Sequence, residues 1–285
     1  MTAAMEPLMQ LRALGRSGVR VPALGVGTNR WGLRGSGADQ LGRVLSAALD
    51  AGANLFDTAE VYFGSEKALG ECMRGDPRPA LVVSKFAPYP TRFSAGSFQK
   101  ALEGSLARLD RDSVDLYLVH FPFSLLGIAT LMDRLAELAQ AGRVRAVGVS
   151  NFSASQMYVA AERLDRYGIP LAANEVQFSL FHRDPERNGV LEACRKLDVA
   201  LIAYRPLAGG RIGRPGSALD TTLAEMARVR QKTAAQVALN WLLGKDERII
   251  AIPGATRAEH LRENVGAIGW TLSDDELATL ERVSA

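Results

Sequence analysis

Apolar residues along this chain fall into two alternating rhythms. Short runs such as Leu24-Gly25-Val26-Gly27-Thr28, Asn54-Leu55-Phe56-Asp57 and Ala80 to Phe86 are too brief for helices, and several end on a polar residue, as buried strands do where they enter a loop. Between them, Leu41, Val44, Leu45, Ala48 and Leu49 recur at helical spacing until Gly52. Phe98, Leu102, Leu106 and Leu109 repeat that spacing, as do Leu131, Leu135 and Leu138. Further strands are expected over Val114 to His120, Val144 to Ser150, Leu171 to Phe178, Ala200 to Tyr204 and Ile249 to Ile252, with helices between them through Leu191 and Leu197 and from Thr221 to Leu243. Capping-box patterns at Ser153 to Gln156, Thr256 to Glu259 and Ser273 to Glu276 each predict a helix start.

Eight strands alternating with helices predict an α/β fold, a (β/α)8 TIM barrel. A short hairpin over Leu11 to Leu24 precedes it, and an extra helix follows the last strand. An open doubly wound sheet is the alternative. No linker or low-complexity stretch breaks the series, so residues 1–285 are expected to form one domain.

Composition removes several classes of function. The net charge is +3, but the 34 Lys and Arg are interleaved with 31 Asp and Glu, which leaves no basic stripe for nucleic acid. Met1 to Gln10 do not read as a signal peptide, and no apolar run reaches the roughly 18 residues of a membrane span, so a cytoplasmic protein is expected. Cys72 and Cys194 are far apart, and with His120, His182 and His260 as the only histidines no metal site is expected.

The chemistry gathers at strand ends, the face of a parallel barrel where sites are built. Asp57 closes one strand and Tyr62 follows in its loop, while Lys85 and His120 close the next two. A tyrosine with an ordinary pKa near 10 is a poor acid at neutral pH unless a cation favours its ionised form. Lys85 can supply that cation, Asp57 can hold it in place, and His120 can hydrogen-bond the oxygen that Tyr62 serves. Taken singly, each residue reads more simply as a solvated strand end, a structural ion pair or a core histidine. Their recurrence at the same place on consecutive strands favours a site.

From Leu24-Gly25-Val26-Gly27-Thr28 through Phe56-Asp57-Thr58-Ala59-Glu60-Val61-Tyr62, Lys85, His120 and Gly148-Val149-Ser150-Asn151-Phe152 to Ile252-Pro253-Gly254 and Glu263-Asn264, the chain resembles the aldo-keto reductases. The resemblance implies a catalytic tetrad of Asp57, Tyr62, Lys85 and His120, which reduces an aldehyde or ketone with hydride from a nicotinamide and a proton from the tyrosine. It places cofactor contacts at Gly27, Thr28 and Asp57, at Ser150 and Asn151 on the carboxamide, and at Tyr204 stacked on the ring. Further contacts are implied at Arg205, Leu207 and Gly209 on the pyrophosphate, and at Ile252, Gly254, Thr256, Arg257, Glu263 and Asn264 around the adenosine end. Two positions depart from the family pattern: Glu175, counted among the cofactor contacts, stands where a glutamine touching the carboxamide is usual, with Gln177 two residues on and on the same strand face, and Arg205 replaces a common serine. With Gly254 where a lysine is common, recognition of a 2′-phosphate falls on Arg257, and NADP(H) is expected over NAD(H).

The expected partner is a small carbonyl compound, in a monomer or weak oligomer. Substrate contacts are expected from Trp31, Tyr62, Phe86, His120 and Phe121, with Phe63, Tyr89 and Phe123 nearby. A loop of about nine residues after the fourth strand, Phe121 to Ala129, and a chain that stops at Ala285 without a tail suggest an open mouth for flat or bulky aldehydes. Two other readings stand beside the reductase. One is a nicotinamide-binding regulatory module like the potassium-channel β-subunits of the same superfamily, and the other is a barrel enzyme of phosphorylated sugars, which leaves Tyr62 and Lys85 unexplained.

Overall fold

The computed structural model describes residues 9–33, 37–89, 91–92, 94–214 and 216–284. The reading of Met1 to Gln10 as leader-free therefore falls mostly outside them. A hairpin, β1 (Leu11–Ala13) and β2 (Arg20–Pro22), comes first. The chain then runs β3 (Val26–Gly27), α1 (Ala38–Asp50), β4 (Leu55–Asp57), α2 (Ser65–Gly75), β5 (Leu81–Phe86), α3 (Ala95–Leu109), β6 (Val114–Val119), α4 (Gly127–Gln140), β7 (Val144–Ser150) and α5 (Ala154–Asp165). It continues with β8 (Leu171–Gln177), α6 (Asp184–Arg187), α7 (Val190–Leu197), β9 (Ala200–Tyr204), α8 (Ala218–Arg230), α9 (Ala234–Gly244), β10 (Ile249–Ile252), α10 (Ala258–Val265) and α11 (Asp274–Val283).

β3 to β10 form one parallel sheet in sequence order. Its edges meet through bridges Leu24–Ala251 and Gly27–Gly254, with the Gly25 and Gly27 amides donating to the carbonyls of Ala251 and Pro253. The sheet is thus a closed barrel and the doubly wound alternative falls. Closure also explains a glycine: a Cβ on Gly27 would stand 2.9 Å from the Ile252 carbonyl oxygen, so only Gly lets β3 approach β10 this closely.

Alternation along each strand sorts the core into two layers. Leu55, Val83, Leu116, Leu118, Ala146, Ala173, Ala200, Ile202, Ile250 and Ile252 fill the barrel, whereas Phe56, Val82, Phe86, Tyr117, Val119, Val147, Val149, Leu201 and Ala251 pack under the helices. Leu14, Val19 and Val21 of the hairpin join the interior layer, and the Arg12 guanidinium donates to the carbonyls of Leu243, Asp246 and Ile249. The hairpin therefore plugs the end at which the strands begin and leaves the opposite end free for chemistry.

The capping boxes at Ser153 and Ser273 form as predicted, and Thr233 with Gln236 makes one more. The box at Thr256 does not form. The helix starts one residue later, with Arg257 at its N-cap and no side-chain cap, because the Thr256 stretch is drawn toward α1, where Gln40 donates to the Thr256 carbonyl. Among the described residues no helix is long and apolar enough to cross a membrane, and no group of His, Cys, Asp and Glu could hold a metal ion.

Candidate active site

The inward-facing row of each strand continues past the apolar filling into polar side chains. Leu55 is followed two residues on by Asp57, Val83 by Lys85, Leu118 by His120 and Ile202 by Tyr204, while Ser150 and Glu175 sit side by side on β7 and β8. Parity alone places these six groups at one mouth. Lys85, Asp57, Ser150 and Glu175 are fully or almost fully buried, and Tyr62, on the loop after β4, is half-buried above them.

Lys85 Nζ donates to Asp57 Oδ1 at 2.5 Å and to the Thr58 carbonyl at 2.9 Å, and lies 3.3 Å from Glu175 Oε2 and 5.0 Å from the centre of the Tyr62 ring. Burial alone would lower the ammonium's pKa, but its carboxylate neighbours, Asp57 foremost, outweigh it and hold Lys85 cationic. For the Tyr62 phenol, burial raises the pKa, Lys85 draws it back, and Asp57 pushes it further up, as Glu175 would if ionised, so the phenol keeps its proton. His120 meets Tyr62 edge-on with ring centres 5.7 Å apart. Burial, then Lys85, drives the imidazole pKa down to about 3, so it is neutral at physiological pH, with its buried Nδ1 left without a partner.

The tetrad loop is braced from outside in a way the sequence reading missed. The Thr28 hydroxyl donates to the Asp57 carbonyl at 2.7 Å, and Ser65 links Thr28 to Thr58. The Thr28 hydroxyl is thus committed to holding the loop. Gly64-Ser65 reads in sequence as a helix entry only, and nothing local signals that the Ser65 hydroxyl turns inward. Glu60 plays a similar part, accepting from the Ala87 amide and pairing with Arg92.

On the β7 and β8 side, Ser150 donates to the Glu175 carbonyl, and the Asn151 amide group donates to the His120 carbonyl and Ser150 Oγ. Tyr204 donates its hydroxyl to Asn151 Oδ1 at 2.9 Å. Arg205, exposed next to it, stands in left-handed backbone, as do Ala208, Gly209 and Gly210, while Leu207 packs onto the core. Across the mouth, Ile252 and Gly254 lead to Arg257, exposed at the uncapped start of α10. Glu263 and Asn264 lie in the last turn of that helix, Asn264 buried.

Two expected substrate contacts belong to the packing. Phe86 follows Lys85 by one residue and so points the other way, stacked on Phe98 with ring centres 3.7 Å apart beneath α3. Trp31 is buried against Phe56 and donates its indole N–H to the Ala255 carbonyl, tying the loop after β3 to the loop after β10. Phe121 stays at the mouth, stacked on His120 at 4.3 Å. Phe63, Tyr89, Phe123 and Leu125 are exposed on the loops after β4, β5 and β6. The loop after β6 is also shorter than expected, since α4 begins at Gly127.

Known proteins are similar to this chain over most of its length. Residues 23–285 match the model of the aldo/keto reductase family. The chain is 34% identical to a chloroplastic pyridoxal reductase of Arabidopsis thaliana, covering 88% of this chain and 78% of that protein, and 34% identical to the methylglyoxal reductase YeaE of Escherichia coli, covering 96% and 95%. Among solved structures it is similar to a thermostable aldo-keto reductase crystallised with the inhibitor epalrestat, with a TM-score of 0.87 at 35% identity over 96% of this chain and all of that one. It is also similar to an aldo/keto reductase of Klebsiella pneumoniae in complex with NADP and acetate, with a TM-score of 0.86 at 31% identity over 96% and 95%. With the match running from the first barrel strand through the last helix, the chain belongs to the aldo-keto reductase family.

Proposed function

We propose that this protein reduces aldehydes and ketones to alcohols with NADPH, with Tyr62 as the proton donor. The observation that carries the reading is the convergence of a protonated phenol, a buried ammonium and a neutral imidazole from three successive loops and strands at one mouth. NADPH, when bound, supplies the hydride for the carbonyl carbon. Tyr62 gives its proton to the carbonyl oxygen, and Lys85, held by Asp57, stabilises the phenolate left behind. The neutral His120 supplies a hydrogen bond to the same oxygen without competing as an acid. The same groups serve the reverse oxidation.

The residues present suit a dinucleotide. The loop of Arg205 to Gly210, with left-handed backbone at Arg205, Ala208, Gly209 and Gly210, is of the kind that can present backbone amides to an anion. The uncapped N-terminus of α10, with Arg257 beside it, offers free amides and a positive charge to a phosphate. Tyr204, Ser150 and Asn151 form the shelf for the nicotinamide, with Gln177 on the same face as Glu175 and nearer the mouth. The reductase reading outweighs the regulatory-module reading because the relatives reported above are themselves named as reductases.

For substrate, the exposed rings of Phe63, Phe121 and Phe123 with Tyr89 and Leu125 make an open apolar rim suited to flat aldehydes such as aromatic or pyridoxal-like ones. An open apolar wall distinguishes one methylene by only about 1–3 kcal/mol, so discrimination among such aldehydes is modest. The test is kcat/KM with NADPH across short aliphatic, sugar and aromatic aldehydes. Strong preference for one small sugar, with aromatic aldehydes left unreduced, would refute this substrate class.

A further inference from the structure

Among the described residues at the mouth, Glu175 is buried in a geometry that the reaction above does not use. Its carboxyl does not reach outward along the nicotinamide shelf. It is 1% exposed and turned into the barrel, 3.3 Å from Lys85 Nζ and within hydrogen-bonding reach of the Asp57 carboxyl. Lys85 donates to Asp57 and Thr58, and Glu175 Oε2 has no hydrogen-bond partner although it is wholly buried. Two carboxyls and one ammonium thus share a dry pocket. Two ionised carboxylates in contact repel, and a hydrogen bond between them exists only if one is protonated.

We propose that Glu175 is a positioning residue for the proton transfer: a neutral carboxyl that donates its hydrogen to Asp57 and thereby fixes Asp57, and with it the Lys85 ammonium, beside Tyr62. The charges facing Glu175 agree. Asp57 and Lys85 face it from β4 and β5, the Tyr62 phenol from the loop above and the Tyr204 phenol from β9, with His120 beyond Lys85. Burial first, and Asp57 second, push the Glu175 pKa well up, and the Lys85 ammonium lies closer to Asp57, at 2.5 Å, than to Glu175, at 3.3 Å. The proton belongs to the pair and resides mainly on Glu175. The pocket then holds one anion and one cation, so Tyr62 stands beside a single balanced ion pair rather than an excess of negative charge that would weaken it as an acid.

The proposal rests on the reductase reading for its consequence but not for its first test. Infrared spectra of the cofactor-free protein at pH 7 should show a carboxylic-acid C=O band that shifts on deuteration and is lost in Glu175→Gln. No such band in the wild type, or one that survives in Glu175→Gln, would overturn the proposal whatever the enzyme reduces. The second test compares Glu175→Gln, a neutral hydrogen-bond donor, with Glu175→Leu, which fills similar space without one. At saturating NADPH and aldehyde, Glu175→Leu should lose kcat by roughly tenfold or more, the lower part of what a positioned acid contributes. Glu175→Gln should recover most of that loss. Equal kcat in the two variants would mean that Glu175 only fills space or acts as an anion. A loss confined to NADPH affinity would place it on the carboxamide. Either result would overturn the positioning role.

Discussion

Lys85 on β5 reaches across to Asp57 on β4, and the two charges meet at 2.5 Å with both side chains shut off from solvent. Breaking a buried pair from one side leaves a charge unpaired, at a cost of about 3–5 kcal/mol. Lys85→Met should therefore lower the melting temperature and also reduce aldehyde turnover by at least about 10²-fold. Because Lys85 is what draws the Tyr62 phenol down, the alkaline limb of the residual pH–rate profile should move to higher pH. A stable Lys85→Met protein with near-normal kcat would show that the pair is not needed for the chemistry.

Tyr62→Phe keeps the ring against His120 and removes only the proton. Reduction should fall by at least about 10²-fold, with NADPH affinity near the wild-type value. Titration of NADPH by fluorescence alongside kcat separates the two effects, and unchanged turnover would end the assignment of Tyr62 as the acid.

Arg257 stands exposed at the bare N-terminus of α10. If it pairs with the 2′-phosphate, Arg257→Ala should weaken NADPH by a charged hydrogen bond, roughly 1.5–3 kcal/mol, and leave NADH almost untouched. Equal losses for both cofactors, measured as dissociation constants, would make Arg257 a support for the loop instead.

His120 is buried neutral, with a folded pKa of about 3 against an ordinary value near 6.5. As pH falls below about 6.5 the unfolded chain takes up this proton and the folded chain does not. The contribution of His120 to stability is therefore intact above pH 6.5 and is lost toward pH 3, at up to about 1.4 kcal/mol per unit. Depressed carboxylates such as Glu276 add their own acid sensitivity, so the readout is the difference between wild type and His120→Asn. Denaturant unfolding between pH 7 and 4 should give a shallower slope for the variant, and parallel slopes would contradict a buried neutral imidazole.

Gly32 carries no chemistry, yet a Cβ there would fall 1.5 Å from the Phe63 carbonyl oxygen, inside the backbone that presents Tyr62. Gly32→Ala must displace that loop, and a shift of about 1 Å in a reacting group can cost 10²-fold. Turnover should drop at least about tenfold with cofactor affinity retained. Wild-type kinetics in Gly32→Ala would mean that the loop after β3 does not brace the site.

The sequence by itself determined the barrel and most of the tetrad, because both depend on local periodicity. Side chains alternate along a strand, so Leu55 facing inward commits Asp57, Val83 commits Lys85 and Leu118 commits His120. The same parity, applied one residue further, would have turned Phe86 away from the mouth. Local pattern failed where partners come from distant segments. The Thr256 box was legible but did not form, since Gln40 of α1 claims that stretch. Trp31 read as a pocket wall and became a strut between the first and last loops. The tertiary structure alone decided that Glu175, placed in sequence on the cofactor, meets Lys85 and Asp57 inside the barrel. Those residues come from β8, β5 and β4, and no spacing along the chain encodes how a closed sheet brings non-adjacent strands face to face across its interior.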